Sequence, residues 1–104
     1  MKIYMEVKGC TQEYDLQGYF PDAPTERGVK HIYELIKAKK DGFESYLAFV
    51  IQMEKIESVL PNANIHKAFE TAFYEAVDSG VKILFLYCRV SESELEIIDY
   101  KIRE

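Results

Sequence analysis

The stretch TERGVKHIYELIKAKKDGFESYLAFVI, Thr25 to Ile51, decides the fold. Val29, Ile32, Tyr33 and Ile36 recur at helical spacing and make one apolar stripe. The pattern predicts a helix within Asp22 to Lys40. Thr25 suits its cap, because a threonine oxygen there accepts a bond from an otherwise orphan backbone N–H. Asp41-Gly42 ends the helix, and Lys37, Lys39 and Lys40 lie near the negative end of its dipole. Tyr46 to Ile51 then runs almost without a polar residue, the pattern of a strand buried on both faces.

Working outward, Lys2 to Lys8 alternates, with Ile3, Met5 and Val7 on one side and Tyr4, Glu6 and Lys8 on the other. This predicts a strand with one face in the core. Gly9 to Phe20 reads as a turn with a short strand near Leu16–Phe20, bounded by Gly18 and Pro21. Downstream, Glu54 to Asn64 reads as a loop with a turn at Pro61-Asn62. A second helix is predicted from Ile65 to Ser79, capped by Asn64, with a stripe of Ile65, Phe69, Ala72, Phe73, Ala76 and Val77. Gly80 closes it, Lys82 to Val90 is a buried strand, and Leu95 to Ile102 a last edge strand. Strand, helix, strand, helix, strand gives an α/β fold with a mixed, largely parallel sheet and helices expected on both faces.

The bulk composition narrows the classes. At 104 residues the chain is read as one domain, 1–104. Apolar residues at 48% and charged residues at 30% are ordinary for a globular protein. No apolar run approaches the roughly 20 residues of a membrane helix, and the first residues do not resemble a signal peptide, so the cytoplasm is expected. Cys10 and Cys88 fit no metal or redox spacing and are read as reduced thiols. A net charge of −5 argues against coating nucleic acid with the whole surface. Phosphate binding would need a local basic patch, or a metal ion offsetting the acids.

Two stretches can carry chemistry. In Glu6-Val7-Lys8 the first and last residues share a strand face, about 6.5–7 Å apart along the chain. A carboxylate that holds a divalent ion beside a lysine that orients water or balances phosphate charge suits phosphodiester hydrolysis. Such triplets are also common as cross-paired charges on a solvated strand. The second is Thr25-Glu26-Arg27-Gly28-Val29-Lys30-His31, where Arg27, Lys30, His31 and Glu34 gather opposite the apolar stripe. This is either the water-facing side of a helix or a helix start offering N–H groups, an arginine and a histidine to a phosphate. Gly28 costs a helix about 1 kcal/mol relative to alanine unless the backbone there is closely approached. His66 sits in the first turn of the second helix, where the dipole does not favour a cation. The aromatic residues are read as packing.

At these residues a family becomes visible. Glu6-Val7-Lys8 followed by Thr11, then Gly18-Tyr19-Phe20-Pro21-Asp22-Ala23, Thr25-Glu26-Arg27-Gly28, Lys30-His31 and Glu34-Leu35, resembles the sugar fermentation stimulation protein A family. Asn64-Ile65, Ala76 and Gly80-Val81 extend the likeness, which runs from about Ile3 to Val90. The resemblance implies a restriction-endonuclease-like, PD-(D/E)xK domain that follows an N-terminal OB-like domain in full members. It further implies DNA as partner and a link to sugar-utilisation genes. Glu6 would then be a metal ligand, with Mg²⁺ as the implied cofactor, aided by the Val7 carbonyl, and Lys8 would position water. Glu6 and Lys8 are thus the expected catalytic pair, and Lys8, Thr25, Arg27, Lys30 and His31 the expected nucleic-acid contacts.

The departures from the family pattern are specific. The upstream strand that would bring the motif's first aspartate is expected to be missing, as is the OB-like domain, and Asp15 and Asp22 lie downstream of Glu6. His66 stands where the family shows an aspartate, and Gly9-Cys10 replaces a serine and apolar pair. The Ile3–Lys8 edge would invite another strand, so self-association through it is expected. Three functions follow: a DNA-binding domain derived from a nuclease, a nuclease completed by a partner or dimer, and a non-catalytic interaction domain.

Overall fold

The sequence of crossovers sets the layers. β1 (Ile3–Cys10), α1 (Glu26–Lys40), β4 (Glu44–Ile51), α2 (Lys67–Asp78) and β6 (Lys82–Val90) succeed one another, with β1, β4 and β6 parallel and adjacent in that order. Right-handed crossovers that advance in one direction across a sheet leave their helices on the same side. Accordingly α1 and α2 pack on each other and on one sheet face. The expectation of helices on both faces is therefore corrected: among the described residues only one face is covered. The computed structural model describes residues 2–10 and 12–103; Thr11 lies outside them.

An antiparallel strand, β7 (Leu95–Ile102), closes the far edge against β6, with a bulge at Tyr87/Cys88. A second, smaller sheet holds β2 (Gln12–Tyr14), β3 (Gln17–Phe20) and β5 (Val59–Pro61). β2 and β3 form a hairpin whose two turn residues, Asp15 and Leu16, both have positive φ, the geometry that matches strand twist. β5 falls where a loop was expected, and it pairs in parallel with β3, Gly18 opposite Val59. A Cβ on Gly18 would lie 2.9 Å from the Ser58 carbonyl oxygen, so only glycine allows this approach.

The core fills the space between the covered sheet face and the helices. Leu47, Phe49 and Ile51 of β4 stand beside Ile83 and Phe85 of β6, and Ile32, Leu35, Phe69 and Phe73 close over them. Register decides the facing of β1. Tyr4, Glu6, Lys8 and Cys10 lie opposite Ser45, Leu47, Phe49 and Ile51, so they share the helix-covered face. Ile3, Met5 and Val7 turn to the uncovered face and are 59%, 42% and 53% exposed. The alternation is as read from the sequence, and the side that carries Glu6 and Lys8 is the one turned to the helices.

Helix ends follow their chemistry. Thr25 caps α1, its hydroxyl oxygen accepting from the Gly28 N–H at 2.9 Å. α2 begins two residues later than expected, at Lys67, with His66 rather than Asn64 at the cap position. The Asn62 carbonyl accepts from the Ile65 and His66 amides and turns the chain into the helix.

Candidate functional site

Because the polar side of β1 faces α1, its side chains meet the helix directly. Arg27, His31 and Glu34 lie on one row of α1, each three or four residues from the next. The Lys8 Nζ donates to His31 Nδ1 at 2.8 Å. The Glu6 Oε2 lies 3.6 Å from the same nitrogen, and the Tyr4 hydroxyl donates to Glu34 Oε2 at 3.4 Å. Burial, then the Glu34 and Glu6 carboxylates, lift the Tyr4 phenol above the ordinary tyrosine value.

The short Lys8 contact fixes the imidazole tautomer. An ammonium has only donors, so Nδ1 accepts and the ring proton sits on Nε2. The Arg27 Nε, 3.4 Å from that Nε2, is also a donor. The guanidinium therefore lies beside the ring rather than bonding to it. The arrangement holds an ammonium, a guanidinium and an imidazole N–H together, with the Glu6 carboxylate on their flank. It can receive an anion along the α1 side and can orient a water near Glu6.

Of the residues expected from sequence, Glu6, Lys8, Arg27 and His31 come together here. Lys30 is exposed, one step round the helix, and makes no polar side-chain contact among the described residues. Thr25 is occupied within the protein: its hydroxyl caps α1 and its N–H donates to His66 Nδ1 at 3.0 Å. His66, which lies 3.8 Å from Glu26 through Nε2, thus ties the start of α2 to the start of α1. Nothing local in the sequence announces that link, since its partners are 41 residues apart.

Gly28 now has a packing reason. A Cβ there would meet Thr25 Cγ2 at 2.8 Å and its Oγ1 at 2.9 Å, with Phe69 at 3.4 Å. Alanine is the better helix former by about 1 kcal/mol. Losing the cap and overpacking the junction outweigh that, so Gly28→Ala is expected to lower stability by about 1–3 kcal/mol. Urea unfolding measures this; a stabilised variant would show that Thr25 can turn aside freely.

The donor set also tests the implied divalent ion. A hard cation prefers oxygen ligands, and magnesium is held by one or two carboxylates with waters and substrate phosphates. Here Glu6 stands as one carboxylate, His31 Nδ1 is engaged by Lys8, and no group of three candidate ligands occurs among the described residues. The residues present do not make a metal site by themselves. A cavity of about 610 Å³ lies elsewhere, at the C-terminal ends of β4 and β6, and contains none of the expected residues. Cys10 and Cys88 are both free and buried, and burial pushes both thiols up. No helix among the described residues is long and apolar enough to cross a membrane.

A family model described as the sugar fermentation stimulation protein RE domain matches residues 1–94. A sugar fermentation stimulation protein homolog of Desulfitobacterium hafniense (strain Y51) is 50% identical over 99 residues, covering 95% of this chain and 43% of its own length. The homolog of Ruminiclostridium cellulolyticum is 48% identical over 96 residues, covering 92% of this chain and 42% of its own. A solved structure of Pyrococcus furiosus SfsA in complex with Ca²⁺ superposes with a TM-score of 0.82 at 27% identity, over 91% of this chain and 42% of that one. The chain spans less than half the length of the relatives it matches.

Proposed function

This chain belongs to the sugar fermentation stimulation protein family, and from that premise we propose that it is a DNA-binding domain of restriction-endonuclease-like descent. It grips the sugar-phosphate backbone between β1 and α1 and does not cut it by itself. One observation carries this reading: Lys8, His31 and Arg27 converge at 2.8 and 3.4 Å beside Glu6. Phosphate oxygens are pure acceptors, and these groups are donors on a rigid strand and helix. Lys30, one step along the same helix, extends the basic track. On this reading the domain serves the regulation of sugar-utilisation genes in the cytoplasm, a setting that two free buried thiols suit.

Fluorescence anisotropy of a labelled duplex in EDTA tests it. Three phosphate contacts, from Lys8, Arg27 and Lys30, give a slope of log affinity against log salt near −3, at roughly 0.9 per contact. Glu6→Gln removes a negative charge from beside the phosphate and is expected to tighten binding a few-fold in EDTA. Absence of binding at low salt would end this reading and leave the protein-interaction domain.

A second reading is favoured by the edge of β1, which has no strand partner on its outer side among the described residues. A strand from another segment or a second copy, pairing along Ile3–Lys8, would set a second acid beside Glu6 and complete a Mg²⁺-dependent nuclease. Under that reading Mg²⁺ tightens wild-type binding and supports cleavage, and Glu6→Gln loses both.

A further inference from the structure

The opposite edge of the sheet carries a surface that neither the DNA grip nor the E-x-K strand uses. β7 lies outside residues 1–94 that match the family model, and among the described residues it borders the sheet with β6 as its only strand partner. Its backbone polarity can be read from one bond. The Arg103 N–H donates to the Ile83 carbonyl at 2.8 Å. Antiparallel ladders alternate inward and outward residues, so Lys101 and Asp99 turn their amides and carbonyls toward Phe85 and Tyr87. Tyr100 and Ile102 turn theirs outward; Ile98 falls at the bulge between the pairs Tyr87–Asp99 and Cys88–Ile97 and ends this alternation. The Tyr100 N–H confirms this direction: it donates to its own neighbour, Asp99 Oδ1, at 2.8 Å, and not to β6.

From this pattern we infer that β7 is a homodimerisation edge, joining a second copy antiparallel through a two-fold axis at Tyr100. A two-fold axis normal to a sheet requires paired positions of like parity, so that each keeps its face. Centred on Tyr100, the register sets Asp99 opposite Lys101 of the other copy and Tyr100 opposite itself, with the bulge at Ile98 bounding the paired stretch. Each match is complementary. The outward amide and carbonyl of Tyr100 meet those of its counterpart. The two tyrosines stack on the uncovered sheet face beside Leu86, with Ile102 next to them beside Leu84. On the other face Asp99 and Lys101 form two symmetric ion pairs, at the cost of the bond from the Tyr100 N–H to Asp99. Lysine on an edge strand commonly guards against pairing; here the opposite charge two residues away turns the same device into a self-matching pattern.

Sedimentation velocity over a concentration series tests the inference. The wild-type chain is expected to pass from monomer to dimer. Lys101→Asp places like charges opposite one another twice and is expected to raise the dimer dissociation constant at least about tenfold. The swap Asp99→Lys with Lys101→Asp restores the pairs and is expected to return the constant to within a few-fold of wild type. Tyr100→Pro removes an amide that β6 does not use, so the monomer stays folded by circular dichroism and no dimer forms. A wild-type chain that stays monomeric throughout overturns the proposal, as does a dimer indifferent to Lys101→Asp and Tyr100→Pro. The second outcome would assign the contact to another surface, β1 or the uncovered face.

Discussion

Changing Lys8 and Arg27 together to alanine is expected to weaken duplex DNA binding by about 30- to 100-fold at low salt. A charge-assisted hydrogen bond contributes about 1.5–3 kcal/mol when well enclosed. This groove is partly open, and about 1–1.5 kcal/mol per contact is the appropriate scale after solvent screening. Two such losses make the stated range, since 1.4 kcal/mol is a factor of ten. The salt slope should flatten by about 1.8, two contacts at roughly 0.9 each. A control separates the site from bulk charge: Lys37→Ala with Lys40→Ala removes the same charge from the far end of α1. That control should cost less than about three-fold, because those lysines lie roughly 15 and 20 Å along the helix from Arg27, beyond a Debye length of about 10 Å. Equal losses in both double variants would mean that no particular groove holds the DNA.

Phe69→Ala is expected to remove about 3–5 kcal/mol of stability, measured by urea unfolding. Phe69 is fully buried, with its ring centroid 5.3 Å from that of Phe20. It also fills the space beneath Gly28, so truncation leaves a cavity at the junction of α1, α2 and β3. A domain of this size has a total stability of roughly 5–15 kcal/mol, so the loss is a large share of it. Tyr74→Ala, on the exposed side of the same helix, should cost much less, within about 1 kcal/mol. Similar costs for the two would show that the helix is not seated as described.

What sequence reveals here depends on whether the determinant is local. Thr25 as cap, Lys82–Val90 as a buried strand and Leu95–Ile102 as an edge strand all follow from near neighbours, and the fold has each. The facing of β1 is not local. Alternation divides Ile3, Met5 and Val7 from Tyr4, Glu6 and Lys8, but only register against β4 and the side taken by α1 decide which set is covered. Apolar residues left in water are the less usual outcome, so the pattern alone does not name the covered side. β5 is three residues long and gains its identity from β3, some 40 residues away, so no periodicity marks it. The shift of the α2 cap from Asn64 to His66 arises from the Asn62 carbonyl and the Thr25 amide, both outside the helix. Within the site, the E-x-K spacing and the row Arg27, His31 and Glu34 were visible. That the two meet is what a shared phosphate pocket requires, and the register of β1 with the side taken by α1 brings Lys8 and Glu6 to His31.

Among the described residues the sheet is dressed on one side only, which changes how common laboratory signals from this domain should be understood. Ile3, Met5 and Val7 offer oily ground to an environment-sensitive dye while every strand and helix remains in place. Bright dye fluorescence, ordinarily taken as the mark of a molten state, would here report the native architecture.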